Sequence, residues 1–99
     1  MTINVQSVHF DADKKLIEFI NERVEKINIY YDGIITTEVI LKIDKSDNSA
    51  NKIAEIKMLG KGHEFFAKKQ CASFEEATDL ACEALKTQVK KYKEKMLEH

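Results

Sequence analysis

The sequence predicts an α+β domain of order β-α-β-β-β-α, a four-stranded sheet with two helices packed on one face. Three observations predict it. Two segments carry apolar residues at steps of three and four, the helical period, and four others alternate apolar with polar residues, the strand period. Each predicted strand has one apolar and one polar or charged face, so both helices are expected on the same side of one sheet. The length of 99 residues suits one small domain with a single core.

The first strand is expected over residues 2–8, TINVQSV, with Ile3 and Val5 on one face and Asn4 and Gln6 on the other. Leu16, Ile17, Ile20, Val24 and Ile27 then form one helical stripe. Asp13 is placed to cap that helix, its carboxylate accepting from first-turn amides. The helix is expected to fade near Tyr30, before a turn at Asp32-Gly33. The second strand, 36–44, sets Val39, Leu41 and Ile43 against Glu38, Ile40 and Lys42. A polar loop spans 44–51, and a third strand spans 52–59 with Ala54, Ile56 and Met58 on one face. Gly60-Lys61-Gly62 reads as a hairpin turn into a fourth strand, 63–70. Phe65 and Phe66 are adjacent there, so one of them is expected to face the core. Short connections make these three strands an antiparallel meander. Ser73-Phe74-Glu75-Glu76 has the form of a capping box and opens a long second helix. Its expected inner stripe is Ala77, Leu80, Ala81, Ala84, Leu85, Gln88, Val89 and Tyr92.

Composition excludes several function classes. The 43% hydrophobic content argues for a folded chain, and no run approaches the roughly 18 apolar residues of a membrane span. The N-terminus lacks the charged-then-apolar pattern of a signal segment, so a cytoplasmic protein with no membrane partner is expected. Cys71 and Cys82 stand eleven apart without a CxxC, and no histidine pair has ligand spacing, which argues against zinc. Both are expected as thiols, at least one of them buried. His9 and His63 are isolated, and the glycine turn at 60–62 lacks the spacing of a phosphate loop. No enzymatic activity, metal, cofactor or small-molecule substrate is therefore expected. Leu97-Glu98-His99 reads as a cloning remnant ahead of a histidine tag, leaving residues 1–96 as the single domain.

The informative feature is where charge sits. The chain has a formal charge of only −1, yet residues 86–95, KTQVKKYKEK, hold five lysines and one glutamate. The first half of the same helix is acidic, with Glu75, Glu76, Asp79 and Glu83. A helix dipole favours that polarity by about 0.3–1 kcal/mol per well-placed charge, which explains a bias but does not require five lysines. Lys86, Lys90 and Lys93 share one face, with Lys91 and Lys95 as an adjoining pair. Arg23 and Lys26 lie near the C-terminal end of the first helix. Should the helices run side by side and parallel, both basic ends meet on one edge and make a local positive field. Two readings stay open at this point, a solvated helix end and a grip on an anion. For nucleic acid, mixed Lys and Glu on the sheet favour phosphate and shape contacts over base readout.

Several segments taken together resemble a known family. They are Val5-x-Ser7-x-x-Phe10-x-Ala12-Asp13-x-x-Leu16-Ile17-x-Phe19-Ile20, then Ala54-Glu55-Ile56-Lys57-Met58, then Phe66-Ala67. Asp79-x-Ala81 and Leu85-x-x-Gln88-Val89-Lys90-Lys91-Tyr92-Lys93 complete the set. Over residues 1–95 the chain resembles the short form of the ribosome hibernation promoting factor and ribosome-associated inhibitor family, also called the sigma-54 modulation protein family. It departs from the family pattern at Asp13, where threonine is usual. It departs again at Ser73-Phe74-Glu75, where an acidic cap and Met-Tyr are usual, and at Thr87, where a basic residue is common. The resemblance implies a fold similar to a double-stranded RNA-binding domain. It implies binding to the small ribosomal subunit, in the channel of messenger and transfer RNA, and inhibition of translation in stationary phase or stress. It also implies RNA-binding roles for Arg23, Lys26, Gln88, Lys90, Lys91 and Lys93. Lys86 joins them on charge and geometry alone. The long form of the family carries a C-terminal domain that pairs ribosomes, and no such dimerisation domain is expected here. The alternative is a small protein-interaction module whose basic helix end binds an acidic protein partner.

Overall fold

The alternating and helical segments form the elements expected of them in the computed structural model, which describes residues 1–45 and 49–97. The strands are β1 (Thr2–Ser7), β2 (Ile34–Ile43), β3 (Lys52–Gly60) and β4 (His63–Cys71). Helix α1 (Lys14–Glu25) continues into a 3₁₀ turn, Lys26–Ile29, and α2 covers Phe74–Leu97. Residues 46–48 of the expected polar loop and 98–99 of the expected tag remnant lie outside the described residues.

The sheet order is β1-β2-β3-β4. β1 runs parallel to β2, as a connection through α1 allows, and β2, β3 and β4 form the antiparallel meander. Register aligns the apolar faces. Val5, Val39, Ile56 and Ala67 form one row across the sheet, and Ile3, Thr37, Met58 and Phe65 form another. Against these rows pack Ile20 and Val24 from α1, Ile27 from the 3₁₀ turn, and Ala77, Ala81, Leu85 and Val89 from α2. The opposite face is solvated and charged, with Lys42 paired to Glu55 at 3.0 Å.

Local chemistry fixes the helix starts. The amide of Leu16 donates to the Asp13 carboxylate at 2.7 Å, and that of Glu76 donates to the Ser73 hydroxyl at 3.1 Å. Phe10 stacks on Phe74 at 5.0 Å, which joins the loop before α1 to the first turn of α2. Gly62 closes the β3–β4 hairpin with a φ of +78°, a conformation that glycine adopts without steric penalty.

Two expected core positions are corrected. Leu80 is 46% exposed, and Thr78 and Cys82 are buried in its place. The stripe of α2 is set by Phe74, Ala77, Thr78, Ala81, Cys82, Leu85 and Val89, and Leu80 lies roughly a third of a turn from its centre. The stripe is wide because α2 meets α1 on one side and the sheet on the other. Ile43 is also exposed, because it ends β2 beside an open cleft lined by Val8, His9, Lys42 and Lys45.

Candidate nucleic-acid interface

The two helices lie side by side and parallel. Arg23 meets Asp79 early in α2, and Tyr30, just past α1, meets lysines further along α2. The ends are offset, however. At 24 residues α2 is about 36 Å long and outlasts α1, so the C-terminal end of α1 faces the middle of α2. The expected meeting of two basic ends is thus a meeting of one helix end with the lysine-bearing stretch of the other.

Tyr30 organises that meeting. The Lys86 Nζ lies 4.9 Å from the centre of its ring and the Lys90 Nζ lies 4.8 Å from it. The Lys93 ammonium donates to the Tyr30 carbonyl at 3.2 Å. Three lysines on one face of α2 therefore converge on one residue. Their mutual repulsion is offset by the negative face of the phenol ring and by the Tyr30 carbonyl at the end of the first helix.

The other expected residues are placed differently. The Arg23 Nε donates to the Asp79 carboxylate at 2.8 Å, and its guanidinium lies over the Phe19 ring at 4.6 Å. Lys26 lines the same interhelical groove as Arg23, Tyr30 and Lys86, and stands 4.0 Å from Glu22 in an exposed pairing of little energetic weight. Lys91 sits about 100° around α2 from Lys90, so it lies on a different flank, near Lys95. Gln88 faces the sheet edge. Its amide nitrogen donates to the Phe66 carbonyl at 2.8 Å, and its oxygen accepts from the Phe66 amide at 3.2 Å. The side chain stands in for a missing strand at the β4 edge, and one N–H and one lone pair remain for a ligand.

Cys82 and Cys71 are both buried free thiols. Burial, reinforced by the Asp79 carboxylate, pushes the Cys82 thiol up to about 12, so it is neutral and a poor nucleophile near pH 7. Burial likewise raises the Cys71 thiol, aided by Glu76. Among the described residues, no group of three or more His, Cys, Asp or Glu side chains is placed to hold a metal ion. No helix among them is long and apolar enough to cross a membrane.

Sequence reasoning missed an aromatic cluster. His63 stacks on Tyr92 at 4.3 Å, with Phe65 and Tyr31 at 5.3 and 5.6 Å. Its Nδ1 lies 3.0 Å from the Lys61 carbonyl, and its Nε2 lies 3.2 Å from the Tyr31 hydroxyl. With the proton assigned to Nδ1, the ring donates to the carbonyl and accepts from the tyrosine. The ring lies so close over Gly60 that a Cβ there would collide with it. No local pattern around His63 announces this, since its partners come from three separate segments.

The chain is a small α+β domain of β-α-β-β-β-α order with a lysine-bearing helical flank, and comparison with known proteins gives its family. The family model described as Sigma 54 modulation protein / S30EA ribosomal protein matches residues 3–97, and the chain belongs to that family. It is 25% identical over 95 residues to a ribosome hibernation promoting factor of Pseudomonas putida, covering 96% of this chain and 89% of that one. A ribosome hibernation promoting factor of Azotobacter vinelandii is 24% identical over 98 residues, covering 99% and 88%. Among solved structures, a ribosomal subunit interface protein from Coxiella burnetii superposes with a TM-score of 0.83 at 25% identity, covering 94% of this chain and 98% of that one. The N-terminal domain of Thermus thermophilus Protein Y shares the fold, with a TM-score of 0.80 at 22% identity, covering 93% and 99%.

Proposed function

We propose that this protein is a ribosome hibernation factor. It binds the small ribosomal subunit in the channel of messenger and transfer RNA and blocks translation in stationary phase or stress. The observation that carries the reading is the convergence of Lys86, Lys90 and Lys93 on Tyr30, in a chain that belongs to the S30EA family. Converged ammonium groups concentrate positive charge on one flank, and phosphate binding there releases condensed counterions. The mechanism is occlusion. The lysine flank holds ribosomal RNA, with Arg23, Lys26, Gln88 and Lys91 as further contacts, and the folded body fills the path of the message. No bond is made or broken, so the reading assigns no catalysis and places the protein in the cytoplasm with its ribosomes.

Competition tests the location. Small subunits preloaded with messenger RNA and initiator transfer RNA are expected to take up little of the protein, and empty subunits to take it up readily. Equal uptake by both would contradict binding in the channel. Uptake by large subunits alone would contradict the small-subunit assignment.

A further inference from the structure

The lysines of α2 are held together by a residue that is not itself charged. We propose that Tyr30 is a positioning residue for RNA binding, which sets Lys86, Lys90 and Lys93 as a preformed comb before any phosphate arrives; this rests on the ribosome-binding reading above. Three contacts place it there. Its ring carries the Lys86 and Lys90 ammonium groups at 4.9 and 4.8 Å, and its carbonyl accepts from Lys93 at 3.2 Å.

The chemistry explains why such a residue is needed. Lysines at i, i+4 and i+7 on one helix face repel each other, and each has a long stem with many rotamers. Left alone, the three ammonium groups spread apart, and a polyanion has to order them on binding. An aromatic face beneath two of them, and a helix-end carbonyl on the third, favour the converged arrangement in the free protein. Each ammonium has three N–H groups, so contact with Tyr30 leaves donors free for phosphate oxygens. Preorganisation of this kind raises affinity by lowering the ordering entropy lost on binding. Tyr30 is itself half-buried and packs on the core, which fixes the ring in place.

A packing role alone predicts something different, and two measurements separate them. In the free protein, ring currents are expected to move the side-chain methylene signals of Lys86 and Lys90 upfield of those of Lys91 and Lys95. Unshifted Lys86 and Lys90 signals would overturn the proposal with no variant needed. The second measurement is affinity for purified small subunits across a salt series, for wild type, Tyr30→Phe and Tyr30→Leu. Tyr30→Phe keeps the ring and the carbonyl and is expected to bind like wild type. Tyr30→Leu keeps an apolar side chain and is expected to bind about tenfold more weakly, with a salt slope shallower by about one phosphate contact. Equal affinity and slope in Tyr30→Leu would reduce Tyr30 to a packing residue. Failure of wild type itself to bind would instead remove the ribosome-binding reading, and with it the comb's role in binding.

Discussion

The Arg23 Nε lies 2.8 Å from the Asp79 Oδ1, so the one arginine of the candidate interface is already paired within the protein. Asp79 is half exposed, and a pair of that kind stabilises by at most about 1 kcal/mol. Replacing Asp79 with Asn is therefore expected to lower stability by less than about 1 kcal/mol in a denaturant titration. It should at the same time tighten binding to small subunits a few-fold at low salt, because it removes a negative charge from the groove and frees the guanidinium. Weaker binding would show that Asp79 orients Arg23 for the RNA instead of occupying it.

Gln88 closes the β4 edge by pairing with both backbone groups of Phe66. Replacing Gln88 with Ala exposes those groups to water, and the loss is expected to be about 1 kcal/mol. Hydrogen exchange at the Phe66 amide should accelerate selectively, while affinity for small subunits changes less than in Tyr30→Leu. Unchanged exchange at Phe66 would contradict the edge-closing role.

Thr78 is fully buried in α2, and its hydroxyl has no hydrogen-bond partner. Val has nearly the same shape and a similar helix propensity. Thr78→Val is expected to raise stability by about 1 kcal/mol, because the polar group it removes is desolvated without compensation. For a domain of this size that corresponds to a rise in Tm of roughly 4–8 °C. A lower Tm would show that the hydroxyl does bond in solution, to a helix carbonyl or a buried water.

The raised Cys82 thiol has a consequence at alkaline pH. Between the ordinary thiol pKa of 9.0 and about 12, the unfolded chain releases this proton and the native chain retains it. The native state then binds more protons, so stability falls as pH rises through that window and is unaffected by this group below it. Cys82→Ala removes the ionisation and is expected to show a shallower alkaline decline than wild type. The difference between the two curves isolates the contribution of Cys82 from that of every other group. Parallel curves would contradict the burial of the thiol.

Much of this architecture was legible because period and capping are local signals. Alternation placed the strands to within about two residues, and Asp13 and Ser73 marked both helix starts. The shared face of Lys86, Lys90 and Lys93 followed from helical spacing alone. What was not legible depends on contacts between distant segments. Nothing around Tyr30 indicates that it lies under lysines some sixty residues away, because that follows from how far α2 outlasts α1. Gln88 was read as stripe and as RNA contact, and its pairing with the sheet edge went unread, since the rotation of α2 over β4 is a tertiary property. Leu80 was assigned inward on hydrophobicity, whereas Thr78 and Cys82 point to the core because α2 packs against two neighbours.

RNA binding by the lysines of the α2 flank facing Tyr30 is tested by co-sedimentation of untagged protein with purified small ribosomal subunits across a salt series, beside Lys90→Glu and Lys91→Glu. Wild-type log affinity is expected to fall with log salt at a slope on the order of −3 to −5, as for four to six phosphates. Lys90→Glu is expected to lose binding more severely than Lys91→Glu, since only Lys90 belongs to the comb on Tyr30. Salt-insensitive binding, equal loss in both variants, or loss in neither would contradict a lysine grip centred on Tyr30 and return the lysines to a solvated helix end.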